Sequence, residues 1–134
     1  MRVGFDVGPL TAPPSGIGRY IIAMSHALAS AIPPDTLVLV GRHPDSAGLP
    51  EVVQTVDRRT GPYRAWLEFQ AARDAKRVDL DVVHYSMGGV PTIRYGYTVL
   101  TVHDMSLLRY PRAHPPSRWI HLSLIHISEP TRPY

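Results

Sequence analysis

The 134-residue sequence contains no cysteine. That absence excludes both a disulfide framework and thiolate metal sites. No apolar run approaches the ~20 residues a helix needs to cross a bilayer. The chain is strand-like from its first residues, Arg2-Val3-Gly4-Phe5-Asp6-Val7, so no signal peptide is expected and a cytoplasmic location is the default. Charged residues are sparse at 19%, and the net charge is only +3. The basic residues are scattered, which argues against nucleic acid as a partner and is compatible with anionic substrates or lipid headgroups. Internal repeats are missing. So are two nucleotide-binding signatures. No phosphate-binding loop with lysine and Ser/Thr occurs, and Gly16-Ile17-Gly18 is not followed by the third glycine of the dinucleotide fingerprint. Nor does Val40-Gly41-Arg42, which closes a strand, carry that fingerprint's acidic ribose partner.

What is present is an alternation of strand and helix signals, in a chain long enough for one domain with a real core. Residues 2–7 read as a strand covered on both faces. A turn over 8–15 leads into a helix from Gly16 to about Ala31, with Ser15 as its N-cap. Ile17, Tyr20, Ile21, Met24, Leu28 and Ala31 share one helical face, whereas Arg19, Ser25 and His26 fall elsewhere. Pro33 and Pro34 stop the helix. Residues 36–40 form a second strand and 52–56 a third. The 41–50 connection is too short for a crossover helix, so no ordinary parallel crossover is expected between them. Thr60-Gly61-Pro62 is a break before a helix over 63–77, whose packing face starts with Trp66, Leu67 and Phe69. Strands over 80–85 and 97–102 follow, and a further helix begins at 117–121. This alternation predicts an α/β, Rossmann-like domain with a largely parallel sheet flanked by helices.

In open α/β sheets, ligands sit beyond the carboxyl ends of the strands. Three segments end strands with chemistry-capable residues: 8–18, 84–89 and 103–104. They are expected to converge at one rim. Gly16 and Gly18 open a helix whose first N–H groups and dipole attract phosphate, or they serve only a tight turn. His103 can hydrogen-bond a sugar hydroxyl or shuttle a proton, with Asp104 orienting it or binding a hydroxyl. Alternatively, Asp104 caps the turn over 105–108 and His103 is structural. His84 either closes its strand or faces the ligand, and Gly88-Gly89 either admits a ligand or turns the chain. His84, His103 and Asp104 lack the paired spacing of a metal motif, so no metal is expected. Arg109, Tyr110, Arg112 and His114 read as a solvated connection, with an acceptor-binding surface as the alternative. Trp66 and Phe69 read as core; exposed at an edge, they would instead touch a lipid-linked acceptor.

Several stretches together resemble the N-terminal domain of the bacterial GT-B glycosyltransferase family called group 1 or family 4. They are Arg2-Val3-Gly4-Phe5-Asp6 with Pro9-Leu10, and Ser15-Gly16-Ile17-Gly18-Arg19-Tyr20. Further on come Asp79-Leu80-Asp81-Val82-Val83-His84, Val99-Leu100-Thr101-Val102-His103-Asp104 and Leu107-Leu108-Arg109-Tyr110-Pro111. Their order and spacing carry the likeness, over residues 1–121. The resemblance implies two Rossmann-like domains with an active site between them, a nucleotide-sugar donor, and transfer usually with retention to a glycan or lipid-linked acceptor. It implies no metal cofactor and allows peripheral contact with the inner face of the membrane. Gly16 and Gly18 would face the donor diphosphate and His103 the transferred sugar. Asp104 would support the acceptor side, and Arg19, His84 and Gly88 would bind acceptor or sugar.

The second domain of that family, with its acidic donor-binding motif, is not in this sequence. Residues 1–121 are therefore expected to be part of a transferase and inactive alone. The alternatives are another nucleotide- or phosphate-handling α/β enzyme, such as an epimerase or hydrolase, and a non-catalytic binding module of the same fold. The stretch Leu122-Ser123-Leu124-Ile125-His126-Ile127-Ser128-Glu129-Pro130-Thr131-Arg132 resembles a translated transposon-end sequencing adapter. Residues 122–134 are accordingly expected to be non-native and to carry no function.

Overall fold

β1 (Val3–Asp6) is the central strand of a five-stranded sheet with the order β3-β2-β1-β4-β5. A computed structural model describes residues 1–58 and 61–115. Along the chain follow α1 (Gly16–Ala31), β2 (Leu37–Arg42), β3 (Gln54–Asp57), α2 (Tyr63–Phe69), α3 (Ala71–Arg77), β4 (Val82–Tyr85), β5 (Tyr97–Leu100) and α4 (Ser106–Arg109). A 3-10 turn over Pro111–Ala113 comes last. All four strand pairings are parallel, with Val3 opposite both Leu37 and Val82. The fold is thus α/β and Rossmann-like, as the alternation predicts. The expected helix over 117–121 and the 122–134 tail lie outside the described residues, as does Thr60 of the expected break.

The sheet is covered on two faces by helices from two directions. α1 lies on one face, where Ile21 packs with Phe5, Val7, Leu10, Leu37 and Leu39. The segment α2–α3 lies on the other, where Trp66, Leu67, Ala71 and Ala75 pack with Val38, Val40, Val83 and Tyr85. Each large apolar side chain buried this way contributes about 1.5–3 kcal/mol before the entropy of ordering is subtracted. Both faces of β1 and β2 are therefore covered, which explains why these strands read as mostly apolar runs with little alternation.

α1 begins as expected: the Gly18 N–H donates to Ser15 Oγ at 3.1 Å. It ends where the Ile32 N–H donates to the Leu28 carbonyl, just before Pro33 and Pro34. Two positions on it differ from the sequence reading. Ser25 is fully buried, and Ala31 is exposed. The Ser25 hydroxyl donates to the Ile21 carbonyl at 2.7 Å, so its buried polar group is satisfied within the helix.

The expected helix over 63–77 is broken at Gln70, whose φ of −124° is not helical. The break turns Phe69 outward, 73% exposed, while Trp66 stays in the core. Phe69 is therefore not a core residue. The connection between β2 and β3 contains no helix, yet the two strands are parallel neighbours. A chain of irregular structure over 43–53 makes the return. At the other edge, Tyr97 of β5 is 80% exposed.

Gly41 sits at φ +73° with its missing Cβ directed at the Trp66 ring, 2.8 Å from Cη2. Both the backbone and the packing demand glycine there. We expect Gly41→Ala to lower stability by about 2–4 kcal/mol in urea denaturation, the strained φ and the displaced indole adding together. A change under about 0.5 kcal/mol would contradict this packing.

Candidate functional site

Because the strands are parallel, all five carboxyl ends reach the same rim. β1 runs into the turn before α1, β4 into 86–91, and β5 into 101–105. The segments expected to converge do so, and they are joined by side chains. Tyr20, one turn into α1, shares a hydrogen bond of 2.9 Å with Thr101 Oγ1 beyond β5. Thr101 Oγ1 also lies 2.7 Å from His84 Nε2 on β4. The Tyr20 ring packs edge-on against the His103 ring, with centroids 4.7 Å apart. His84 in turn packs edge-on against Phe5. His84 on β4 and His103 beyond the end of β5 are thus linked through one tyrosine and one threonine.

His103 Nε2 lies 2.6 Å from the Ser86 carbonyl. A carbonyl only accepts, so Nε2 carries the hydrogen and Nδ1 is left for other chemistry. Burial holds His84 below the ordinary histidine pKa, which favours the neutral imidazole near neutral pH. Asp104 Oδ1 accepts from the Ser106 N–H and Oδ2 from the Ser106 hydroxyl, both at 2.6 Å. It organises the turn into α4 directly after His103.

The remaining expected residues surround this cluster. Gly16 is exposed at the start of α1, with open space where a Cβ would stand. Gly18 is buried; a Cβ there would lie 3.0 Å from Pro14 Cβ, and its N–H is engaged by Ser15. Its smallness therefore has a packing reason. Arg19 is exposed on the first turn of α1. The Gly88 N–H donates to the Thr101 carbonyl, tying the loop after β4 to the end of β5.

The sequence reading missed Asp6 as an ionisable group of the site. It ends β1 where β4 lies alongside, and it is fully buried. Its Oδ1 accepts from the Gly8 N–H at 2.9 Å and its Oδ2 from the Tyr63 hydroxyl at 2.5 Å. The Ser86 N–H also donates to it. Ser86 thus touches Asp6 through its N–H and His103 through its carbonyl. Burial pushes the Asp6 pKa up from 3.8 to about 6, with the hydrogen bonds opposing. An aspartate closing an otherwise apolar strand was the available signal. Tyr20 was read only as part of an apolar face, and Thr101 only as strand.

Among the described residues, no three metal-ligating side chains gather. No helix among them is long and apolar enough to cross a membrane. The chain matches no family model, no curated protein and no solved structure.

The raised pKa gives Asp6 a defined pH signature. The folded state holds the Asp6 proton up to about pH 6 and the unfolded chain releases it near 3.8, so this group's contribution to stability falls as pH rises through that window. Asp6→Asn removes the titration. Between pH 4.5 and 7, its stability should therefore rise by about 2 kcal/mol relative to the parent protein in urea denaturation. A difference that does not change with pH would show that Asp6 is not held protonated.

Proposed function

We propose that this chain forms acceptor-side machinery of a glycosyltransferase that uses a nucleotide-sugar donor, and that the rim of the parallel sheet is one wall of its transfer cleft. The observation that supports this most is the joining of His84 and His103 by Tyr20 and Thr101, beside the helix that Gly16 opens. Such a wall offers neutral hydrogen-bonding groups suited to sugar hydroxyls next to a helix N-terminus suited to phosphate oxygens.

In this reading His103 hydrogen-bonds the transferred sugar through Nδ1, its ring fixed by Ser86 and Tyr20. His84 and Arg19 face the hydroxyls of sugar or acceptor, and Gly88 leaves room for them. The start of α1 at Gly16 and Gly18 lies toward the donor diphosphate, where its dipole offsets charge developing on the leaving phosphate. Asp104 shapes the turn that carries His103. The acceptor is a glycan or a lipid-linked glycan. A second domain supplies the nucleotide pocket, and the reaction needs no metal from this wall.

The test is transfer by the enzyme that contains both domains. There, His103→Ala should lower kcat by about 10²-fold or more while the protein remains folded. Turnover at the parent rate would remove His103 from the reaction and this reading with it.

A further inference from the structure

A second recess lies at the same rim, on the other side of β1 from the histidines. The loops leaving β1, β2 and β3 enclose a cleft of about 280 Å³. Leu10 and Ala12 contribute apolar wall; Thr11, His43, Ser46 and Arg58 contribute polar groups. None of these residues belongs to the transfer wall described above.

Two polar atoms of lining residues, Ser46 Oγ and Arg58 Nε, are buried and have no hydrogen-bond partner among the described residues. Leaving such a group unmet forfeits its hydration without replacement, and folded proteins rarely tolerate it without a reason. The rest of the Arg58 head is anchored, since Nη1 donates to the Gly61 carbonyl at 3.0 Å. Its backbone N–H donates to the Arg42 carbonyl, which fixes the base of the residue against β2. His43 adds a third donor. Its Nδ1 receives the Asp45 N–H at 3.2 Å, and an N–H can only donate, so the ring hydrogen sits on Nε2. Asp45 also lines the cleft, but its carboxylate is largely exposed to water and lies 3.5 Å from the same imidazole. Its repulsion of an anion is therefore screened.

Three donors from three side chains, one of them a guanidinium, call for an acceptor with several oxygens and negative charge. We propose that this cleft binds the oxyanionic group, phosphoryl or carboxylate, of a small hydroxylated molecule, with Arg58, Ser46 and His43 as its donors. Leu10 and Ala12 meet the carbon skeleton, and Thr11 meets a hydroxyl. Ligand entry turns Ser46 and Arg58 toward the cleft and gives both buried atoms the partner they lack. The inference is independent of the transfer reading.

Titration of the 134-residue chain with glucose 6-phosphate, glucuronate and glucose, followed by the arginine Nε–Hε resonances, tests it directly. One or both anions should move the Arg58 resonance saturably, and neutral glucose should not. The tighter of the two anions identifies the oxyanion as phosphoryl or carboxylate. Arg58→Lys keeps the charge but loses the Nε–H, and should weaken binding by about 10-fold. Ser46→Ala should weaken it by about 3-fold or more, and it leaves the backbone intact should the arginine variant fail to fold. No saturation by about 20 mM anion, or unchanged affinity in Ser46→Ala, would overturn the proposal.

Discussion

The structure depends on β1 being paired in parallel on both sides, with β2 at one edge and β4 at the other. A strand held that way has no edge and no solvent face, so its side chains must be apolar or fully satisfied. Val3, Phe5 and Val7 meet the first demand, and Asp6 meets the second. The same pairing sends the loops after β1, β4 and β5 to one rim. The juxtaposition of Tyr20 with Thr101 and His103 is a consequence of topology before it is one of local chemistry.

Asp6 illustrates how that constraint reaches the rim. Its carboxylate is removed from water by the strands on both sides and then surrounded by donors from three places: Gly8, Tyr63 and Ser86. The turn after β1, the start of α2 and the residue after β4 are thereby tied to the end of β1. Ser86 carries the connection onward to the His103 ring. The position of a histidine beyond the last strand is therefore linked through one residue, Ser86, to Asp6 of the first strand. Across β1, the donors at Ser46 and Arg58, like Ser86 Oγ beside Asp6, have no hydrogen-bond partner among the described residues.

Much of the architecture was legible because it is written in local patterns. Ser15 before Gly16 marked the start of α1, and Pro33 with Pro34 marked its end. The mostly apolar runs at 3–7 and 37–40, with little alternation, announced strands buried on both faces. What the patterns concealed were effects of tertiary context. Nothing in the periodicity of 63–77 announced the break at Gln70 that turns Phe69 outward. Ser25 reads as a surface residue until its hydroxyl is seen to bond its own helix. The parallel pairing of β2 with β3 was hidden because the chain returns without a helix. At the rim, His84, His103 and Asp104 stood out as polar residues closing apolar strands. Tyr20 and Thr101 did not, since a tyrosine on a helix and a threonine beside a strand are ordinary until the fold brings them within 2.9 Å.

The central claim is that the ends of β4 and β5 meet the start of α1 through His84, Thr101, Tyr20 and His103. Nuclear Overhauser contacts in the labelled chain measure this most directly. The account predicts strong contacts between the Tyr20 and His103 ring protons, and between the Thr101 methyl and the His84 ring. A His103 ring in contact with the 43–53 connection, with none to Tyr20, would contradict it.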